Sequence, residues 1–121
     1  MGLKKFRYEI LQMEEKEAER KLLFMPLKHV KEIVPKITPE TVSFRKVYEG
    51  DIKAESVNDA GEKLFARFNT DLPSGYTARS LSTSDIIVLT DENGKKTALY
   101  TDLIGFAELP EWDNARKDEN S

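Results

Sequence analysis

The chain has 121 residues, no cysteine, 34% charged residues and a formal net charge of −3. This length suits one domain with a single core, and the absence of cysteine excludes disulfides, thiolate metal sites and cysteine nucleophiles. No run approaches the roughly 20 apolar residues of a membrane span, and no apolar stretch follows Lys4 and Lys5 as in a secretory signal, so we expect a cytoplasmic protein without membrane contact.

The first third of the chain contains one strand pattern and one helix pattern. Residues 3–13 alternate apolar and polar side chains and predict a strand. The charged run 14–21 lacks an apolar stripe and favours a turn or an extended loop, and residues 22–25 favour a short buried strand. Apolar residues at helical spacing then predict a helix between Pro26 and Pro35.

The middle of the chain predicts a strand and the clearest helix. Residues 42–48 favour a strand that ends at a turn over residues 49–51, whose composition is typical of turns. A helix is predicted to begin at Ser56, because Asp59 stands three residues later in a near capping box and an apolar stripe follows. Gly61 lies inside this pattern at a cost of about 1 kcal/mol relative to Ala, and we expect it to permit close contact with the sheet.

The last third predicts a hairpin. Residues 86–90 are a continuous apolar strand, residues 91–94 contain the Asn-Gly turn signal, and residues 96–102 form the returning strand. Residues 105–109 favour a short strand or loop.

These elements predict an α+β fold, an antiparallel sheet with one or two helices packed on one face. We expect a single domain over residues 1–112 and a disordered polar tail over residues 113–121.

Candidate catalytic and metal-binding patterns are weak. His29, the only histidine, is interpreted as a surface residue, and the Asp91–Gly94 segment lacks the spacing of a calcium loop. A serine nucleophile, Ser82 or Ser84 acting with Asp85, lacks a base nearby. We therefore predict no catalytic residues, no metal, no cofactor and no enzymatic activity.

The densest polar segment is Arg79-Ser80-Leu81-Ser82-Thr83-Ser84-Asp85, directly before the apolar strand. In one interpretation it is a structural turn, in which Ser and Asp side chains cap the backbone and Arg79 pairs with Asp85 or Asp102. In the other it is a loop that binds a partner. Both remain open at this point.

Residues 79–89, together with Tyr100-x-Asp102-x-x-Gly105-Phe106 and the closing Leu109-Pro110-Glu111-Trp112, resemble the YodL-like domain family. The similarity covers roughly residues 44–112. It implies a small accessory domain of Gram-positive bacteria and their mobile elements, often encoded near anti-restriction genes. It implies no established activity, cofactor or catalytic residue.

We expect a non-catalytic protein that occupies a surface of a larger host, phage or plasmid protein, such as a nucleic-acid-binding nuclease, as an inhibitor of the anti-CRISPR or anti-restriction type. Residues 49–121 carry 8 Lys/Arg against 15 Asp/Glu, which is compatible with docking onto a basic surface and equally with simple solubility. Trp112 is expected to be partly exposed. The predicted partner-binding residues are Arg79, Ser80, Ser82, Ser84, Asp85, Asp91, Glu92 and Trp112.

The alternative is a small nucleic-acid-binding protein that uses the basic N-terminal part. Residues 1–48 carry 11 Lys/Arg against 7 Asp/Glu, although the net negative charge of the whole chain opposes this function. Phe6 and Tyr8 would stack on bases. The cations concerned are Lys4, Lys5, Arg7, Lys28, Lys31 and Lys46.

Overall fold

A computed structural model describes residues 2–112. The predicted disordered tail, residues 113–121, lies outside the described residues. The elements, in chain order, are β1 (Lys4–Met13), α1 (Glu17–Arg20), α2 (Leu27–Ile33), β2 (Phe44–Ala54), α3 (Val57–Thr70), β3 (Ile86–Thr90), β4 (Lys96–Thr101) and β5 (Phe106–Glu108). Residues 110–112 are also helical.

The five strands form one antiparallel sheet in the order β2-β1-β3-β4-β5. β1 therefore lies between β2 and β3, and its register with β2 shifts between Ile10 and Leu11. The strand predicted over residues 3–13 and the hairpin joining β3 to β4 are both confirmed, and Gly94 in the hairpin turn has the φ of +84° that favours glycine. The predicted α+β class is confirmed.

Each face of the sheet has its own hydrophobic core. On one face α3 packs on side chains such as Tyr8, Ile87 and Leu99. On the other face, α2 and the chain that follows it pack on side chains such as Val88 and Tyr100. Because β3 is covered on both faces, its residues 86–89 are all buried, which explains why this strand is a continuous apolar run.

Helix α3 begins and packs as predicted. The Ser56 hydroxyl accepts a hydrogen bond from the Asp59 amide at 3.1 Å, and the Asp59 carboxylate accepts one from the Glu55 amide at 2.9 Å. A Cβ added to Gly61 would lie 3.1 Å from side-chain atoms of both Leu99 and Phe106. The glycine therefore allows the close helix-to-sheet contact expected from the sequence.

The predicted turn over residues 49–51 is wrong, because β2 continues through Gly50 to Ala54. Gly50 lies opposite Tyr8 in the β1–β2 register, and a Cβ on Gly50 would lie 2.9 Å from the Tyr8 hydroxyl oxygen. Only glycine leaves enough room here for the Tyr8 side chain. The glycine is therefore explained by the neighbouring strand β1 and not by a turn.

Two predictions for residues 14–25 are also wrong. Residues 17–20 form α1 instead of an extended loop, and the buried Glu19 carboxylate accepts a hydrogen bond from the Ser43 amide at 3.0 Å. Residues 22–25 are a turn and not a strand: Leu22 is buried, but Phe24 has a φ of +65° and an exposed side chain. The helix predicted between Pro26 and Pro35 is confirmed as α2.

Candidate partner-binding surface

A buried ion pair joins the two ends of the Arg79–Asp85 segment. Asp85 is 0% exposed, and its Oδ1 and Oδ2 lie 2.8 and 3.0 Å from Arg79 Nη2 and Nη1. The amide of Ser82 and the side-chain Nε2 of Gln12 also donate to Oδ2, at 2.9 and 3.2 Å. Of the two partners that the sequence leaves open for Arg79, the structure shows Asp85, in the bidentate geometry that suits a guanidinium.

Burial raises the pKa of the Asp85 carboxyl above its ordinary value, and the hydrogen bonds from Arg79, Ser82 and Gln12 oppose this rise. Four donor contacts thus occupy the two carboxylate oxygens. Ser84 is also buried, and its hydroxyl oxygen accepts a hydrogen bond from the Phe24 amide at 3.0 Å. Ser84 and Asp85 therefore hold chain segments together.

The segment Phe24–Leu27 is tied to both motifs noted in the sequence. Besides the Phe24–Ser84 hydrogen bond, the Tyr100 hydroxyl donates to the Met25 carbonyl at 2.6 Å and the Leu27 amide donates to Asp102 Oδ1 at 3.2 Å. The Phe24 ring lies over the Arg79 guanidinium, with Cζ 4.8 Å from the ring centroid. We call these five anchoring residues the motif clamp: Arg79, Ser84, Asp85, Tyr100 and Asp102.

Two non-glycine residues with positive φ meet inside the clamp. Phe24 has a φ of +65° and Ser84 a φ of +83°, in the left-handed region that costs about 1–3 kcal/mol for such residues. The hydrogen bond between the Phe24 amide and the Ser84 hydroxyl joins these two positions directly. Strain of this kind persists only where surrounding contacts hold the backbone, and the clamp supplies those contacts.

The turn from β4 to β5 is braced by hydrogen bonds of Asp102 and exposes two aliphatic side chains. Asp102 Oδ1 accepts from the Leu103 amide at 2.9 Å, the Asp102 amide donates to the Gly105 carbonyl at 3.1 Å, and Gly105 has a φ of +71°. Leu103 is 67% and Ile104 94% exposed. Phe24 and Met25, in a segment on the α2 side of the sheet, and Phe65 of α3, on the other side, are exposed as well, and both segments contact the end of β4. We call this set the turn surface: Phe24, Met25, Phe65, Leu103 and Ile104.

The residues predicted to bind a partner do not form one site. Arg79, Ser80, Ser82, Ser84 and Asp85 lie together at the start of β3, where Ser80 is exposed and Ser82 accepts a hydrogen bond from Arg79 at 2.8 Å.

Asp91 and Glu92 lie at the opposite end of β3. Asp91 Oδ1 accepts hydrogen bonds from the amides of Asn93 and Lys95, and Glu92 accepts one from the Lys5 amide at 3.4 Å. Their contacts shape the hairpin turn, far from the Arg79–Asp85 segment.

The prediction that Trp112 is partly exposed is wrong. Trp112 is 4% exposed, lies in the core on the α2 side of the sheet, and packs edge-to-face on Phe44 with centroids 5.6 Å apart. The neighbouring Glu111 carboxylate lies 3.1 Å from the Lys31 ammonium nitrogen, so the acidic residue beside Trp112 faces a cation of α2. An acidic neighbour in the sequence is therefore compatible with a buried indole.

The two rings that the alternative requires for stacking on bases, Phe6 and Tyr8, are not accessible, and that part of the prediction is wrong. Phe6 and Tyr8 are buried in the core beneath α3. Arg7 lies 3.4 Å from Glu49, Lys46 lies 2.9 Å from the same residue, and Lys31 faces Glu111. Three of the proposed cations thus already face carboxylates of this chain.

Sequence reasoning missed the turn surface. Phe24 and Met25 were assigned to a buried strand, and Leu103 and Ile104 stood at the unspecified positions of the second motif. One signal was available: two adjacent large aliphatic residues between Asp102 and Gly105, where a strand ends and turn residues begin. Apolar side chains in such a turn have little opportunity for burial.

No helix in the described part of the chain is long and apolar enough to cross a membrane. Within the same residues, His, Cys, Asp and Glu side chains form no group of three or more that could hold a metal ion.

The family model of the YodL-like domain matches residues 7–112. The match includes β1, with Gln12, and the Phe24–Leu27 segment, so every partner in the motif clamp falls within it. No curated protein and no solved structure gives a significant match. On the strength of the family match over most of its length, the chain belongs to the YodL-like domain family.

Proposed function

We propose that this chain is a non-catalytic protein-binding protein that occupies a surface of a larger partner through the turn surface. The observation that carries the proposal is the exposure of Leu103 and Ile104 on a turn fixed by Asp102 and Gly105. Removal of apolar side chains from water favours association, and exposed apolar patches commonly mark interaction sites. A turn braced by internal hydrogen bonds also loses less conformational entropy on binding than an unbraced loop.

The absence of catalysis is part of the same proposal. The polar groups that first suggested chemistry, Ser84 and Asp85, are buried and occupied by Phe24, Arg79, Ser82 and Gln12. Their contacts explain why the sequence concentrates polar residues there. Because the clamp residues are occupied within the fold, we assign partner binding to the exposed turn surface.

We propose further that the partner is a host-defence protein, and that this chain is a cytoplasmic accessory protein of a mobile genetic element that inhibits it, of the anti-CRISPR or anti-restriction type. The resemblance to the YodL-like family supports this role. The net negative charge of residues 49–121 complements the basic surface with which a nuclease binds nucleic acid.

The class of partner is tested in bacterial cells, by measuring whether the chain protects a targeted plasmid from a defence system. The chain is expressed in a bacterium with an active CRISPR nuclease, and separately in one with an active restriction system, and entry of a targeted plasmid is counted. We expect increased plasmid entry in one of the two strains. Unchanged entry in both strains would contradict the proposed inhibition of host defence.

A titration separates this proposal from the nucleic-acid-binding alternative. Labelled double-stranded and single-stranded DNA and RNA are mixed with the purified chain at low salt, where contacts to phosphate are strongest. We expect no shift at micromolar protein, because Arg7, Lys31 and Lys46 face carboxylates. Binding that weakens steeply with added salt would favour the alternative.

A further inference from the structure

An open groove of about 300 Å³ lies between α3 and the turn from β4 to β5. Phe65 and Phe106 form one wall, edge-to-face with centroids 6.4 Å apart, and Leu103 lines the turn side. The groove adjoins the turn surface, since Phe65 and Leu103 belong to both. Its volume suits one large side chain of a partner.

A polar atom without a partner lies among the residues that line this groove. Thr101 is 1% exposed, and its Oγ1 has no hydrogen-bond partner among residues 2–112. A buried hydroxyl without a hydrogen bond costs about 1–3 kcal/mol, so such atoms are uncommon in folded proteins. Thr101 Oγ1 is closed to solvent in this conformation, so a donor in the groove would satisfy it only with a small local opening beside Thr101.

The charge of the groove has one sign. Glu62 and Asp102 line it, and none of its lining residues within the described chain is Lys or Arg. The exposed Glu62 forms no ion pair with residues 2–112, whereas the nearby Lys63 pairs with Asp59 at 3.4 Å. Asp102 Oδ1 is occupied by the Leu27 and Leu103 amides. The groove thus combines aromatic walls with carboxylates and favours a cation that has an apolar stem.

We propose that this groove binds an arginine side chain of the partner protein. The aliphatic stem and planar guanidinium would pack on Phe65 and Phe106, while the guanidinium donates to Glu62, Asp102 and Thr101 Oγ1. Arginine fits better than lysine because its planar group both stacks on rings and carries five donors. The inference rests on the proposed function and names the partner chemistry at one part of the same surface.

The test uses two synthetic peptides and the full chain. The probes are acetyl-Gly-Leu-Arg-Leu-Gly-amide and the same peptide with citrulline, which keeps the shape of arginine and removes its charge. Amide chemical shifts of ¹⁵N-labelled protein are followed at millimolar peptide. We expect the arginine peptide to shift amides of α3 around Glu62 and Phe65 and those of residues 101–106, with much smaller shifts for the citrulline peptide.

A matched pair of variants tests the role of charge. Glu62→Gln removes the free carboxylate of the groove, and we expect the arginine peptide to bind about two- to fivefold more weakly, as for an exposed ion pair. Glu55→Gln makes the same change at an exposed residue before α3 and should leave the affinity unchanged. Added salt should weaken binding to the wild-type chain more than to Glu62→Gln.

Three results would overturn the proposal. These are absent shifts with the arginine peptide, equal shifts with the citrulline peptide, and shifts of the same amides that depend on protein concentration without peptide, which would indicate a second copy in the groove. Each leaves the proposed function standing if Ile104→Asp, a change in the turn surface outside the lining of the groove, abolishes the increase in plasmid entry. If the arginine peptide binds as expected but neither defence system is inhibited, only the proposed host-defence role fails.

Discussion

Asp85 is the residue on which most of the clamp depends. Its two oxygens accept four hydrogen bonds, two from Arg79 and one each from Ser82 and Gln12, at a position without solvent exposure. A buried charge is tolerated when an opposite charge and several hydrogen-bond donors surround it in this way. Removal of one donor side chain therefore leaves a charge that neither water nor protein satisfies.

Arg79→Met keeps much of the side-chain volume and removes the charge. We expect a loss of about 3 kcal/mol in the free energy of unfolding, at the lower end for a broken buried pair because the Arg79 side chain is 31% exposed. Urea denaturation measures it. Arg20→Met, at an exposed position of α1, is the control and should change stability by less than about 0.5 kcal/mol.

The same variant has a pH dependence whose sign follows from the raised pKa of Asp85. A carboxyl whose pKa is raised in the folded state makes its most favourable contribution to the free energy of unfolding below its unfolded pKa. That contribution is lost as the pH rises through the folded pKa. Without Arg79 the pKa of Asp85 rises further. The difference in unfolding free energy between wild type and Arg79→Met should therefore be largest near neutral pH and narrow as the pH falls. A difference independent of pH would contradict this account of the clamp.

Gly50 tests a second residue-scale claim, that the glycine leaves room for Tyr8. In Gly50→Ala the new Cβ would lie 2.9 Å from Tyr8 Oη and 3.0 Å from Cζ, and the buried ring packs against Tyr48 and Phe68. We expect a loss of about 1–3 kcal/mol in unfolding free energy. Adding Tyr8→Phe removes the closest atom, so the double variant should lose less than the sum of the two single losses. Strict additivity would argue against the contact.

At the scale of elements, what the sequence predicts correctly is local. The start of α3 follows from Ser56 and Asp59, three residues apart, and the β3–β4 hairpin follows from Asn93-Gly94. The predicted β2 was too short because Gly50 reads as a turn residue in the sequence, whereas its role is to make room for Tyr8 on the neighbouring strand β1. α1 was missed because burial of Glu19 depends on the Ser43 amide, 24 residues away.

Ser56→Ala tests the cap of α3. The substitution removes the acceptor for the Asp59 amide, and loss of such a cap typically costs about 1 kcal/mol. Thermal or urea unfolding measures the effect, with Ser74→Ala in the exposed loop after α3 as the control. Equal stability of the two variants would show that the cap contributes nothing measurable.

At the scale of the whole molecule, the sequence predicted the Arg79–Asp85 pair of the motif clamp and none of the turn surface. The Arg79–Asp85 pair lies within six residues and was one of two stated alternatives. The segment that this pair supports comes from far along the chain, since Phe24 meets Ser84 across 60 residues and Met25 meets Tyr100 across 75. The turn surface depends on these long-range contacts, and no local pattern reports them.

The role of the two motifs follows from the same contacts. Arg79, Ser84 and Asp85 fix the segment Phe24–Leu27 from one side, while Tyr100 and Asp102 fix it from the other. The exposed apolar side chains of the turn surface lie between the motif residues in the sequence, as Leu103 and Ile104 do, or beside them in the fold, as Phe24 and Met25 do. The central claim is therefore that the motifs hold the fold and that the turn surface binds the partner.

The most direct test of this claim compares Ile104→Asp with Leu3→Asp in the plasmid-entry assay, where protection means increased entry of the targeted plasmid. Both replace an exposed aliphatic side chain by a carboxylate, but Ile104 is 94% exposed on the turn surface, whereas Leu3 is 58% exposed just before β1. We predict that both variants unfold at the wild-type temperature, that Ile104→Asp loses protection, and that Leu3→Asp retains it. Full protection by a folded Ile104→Asp would contradict the account.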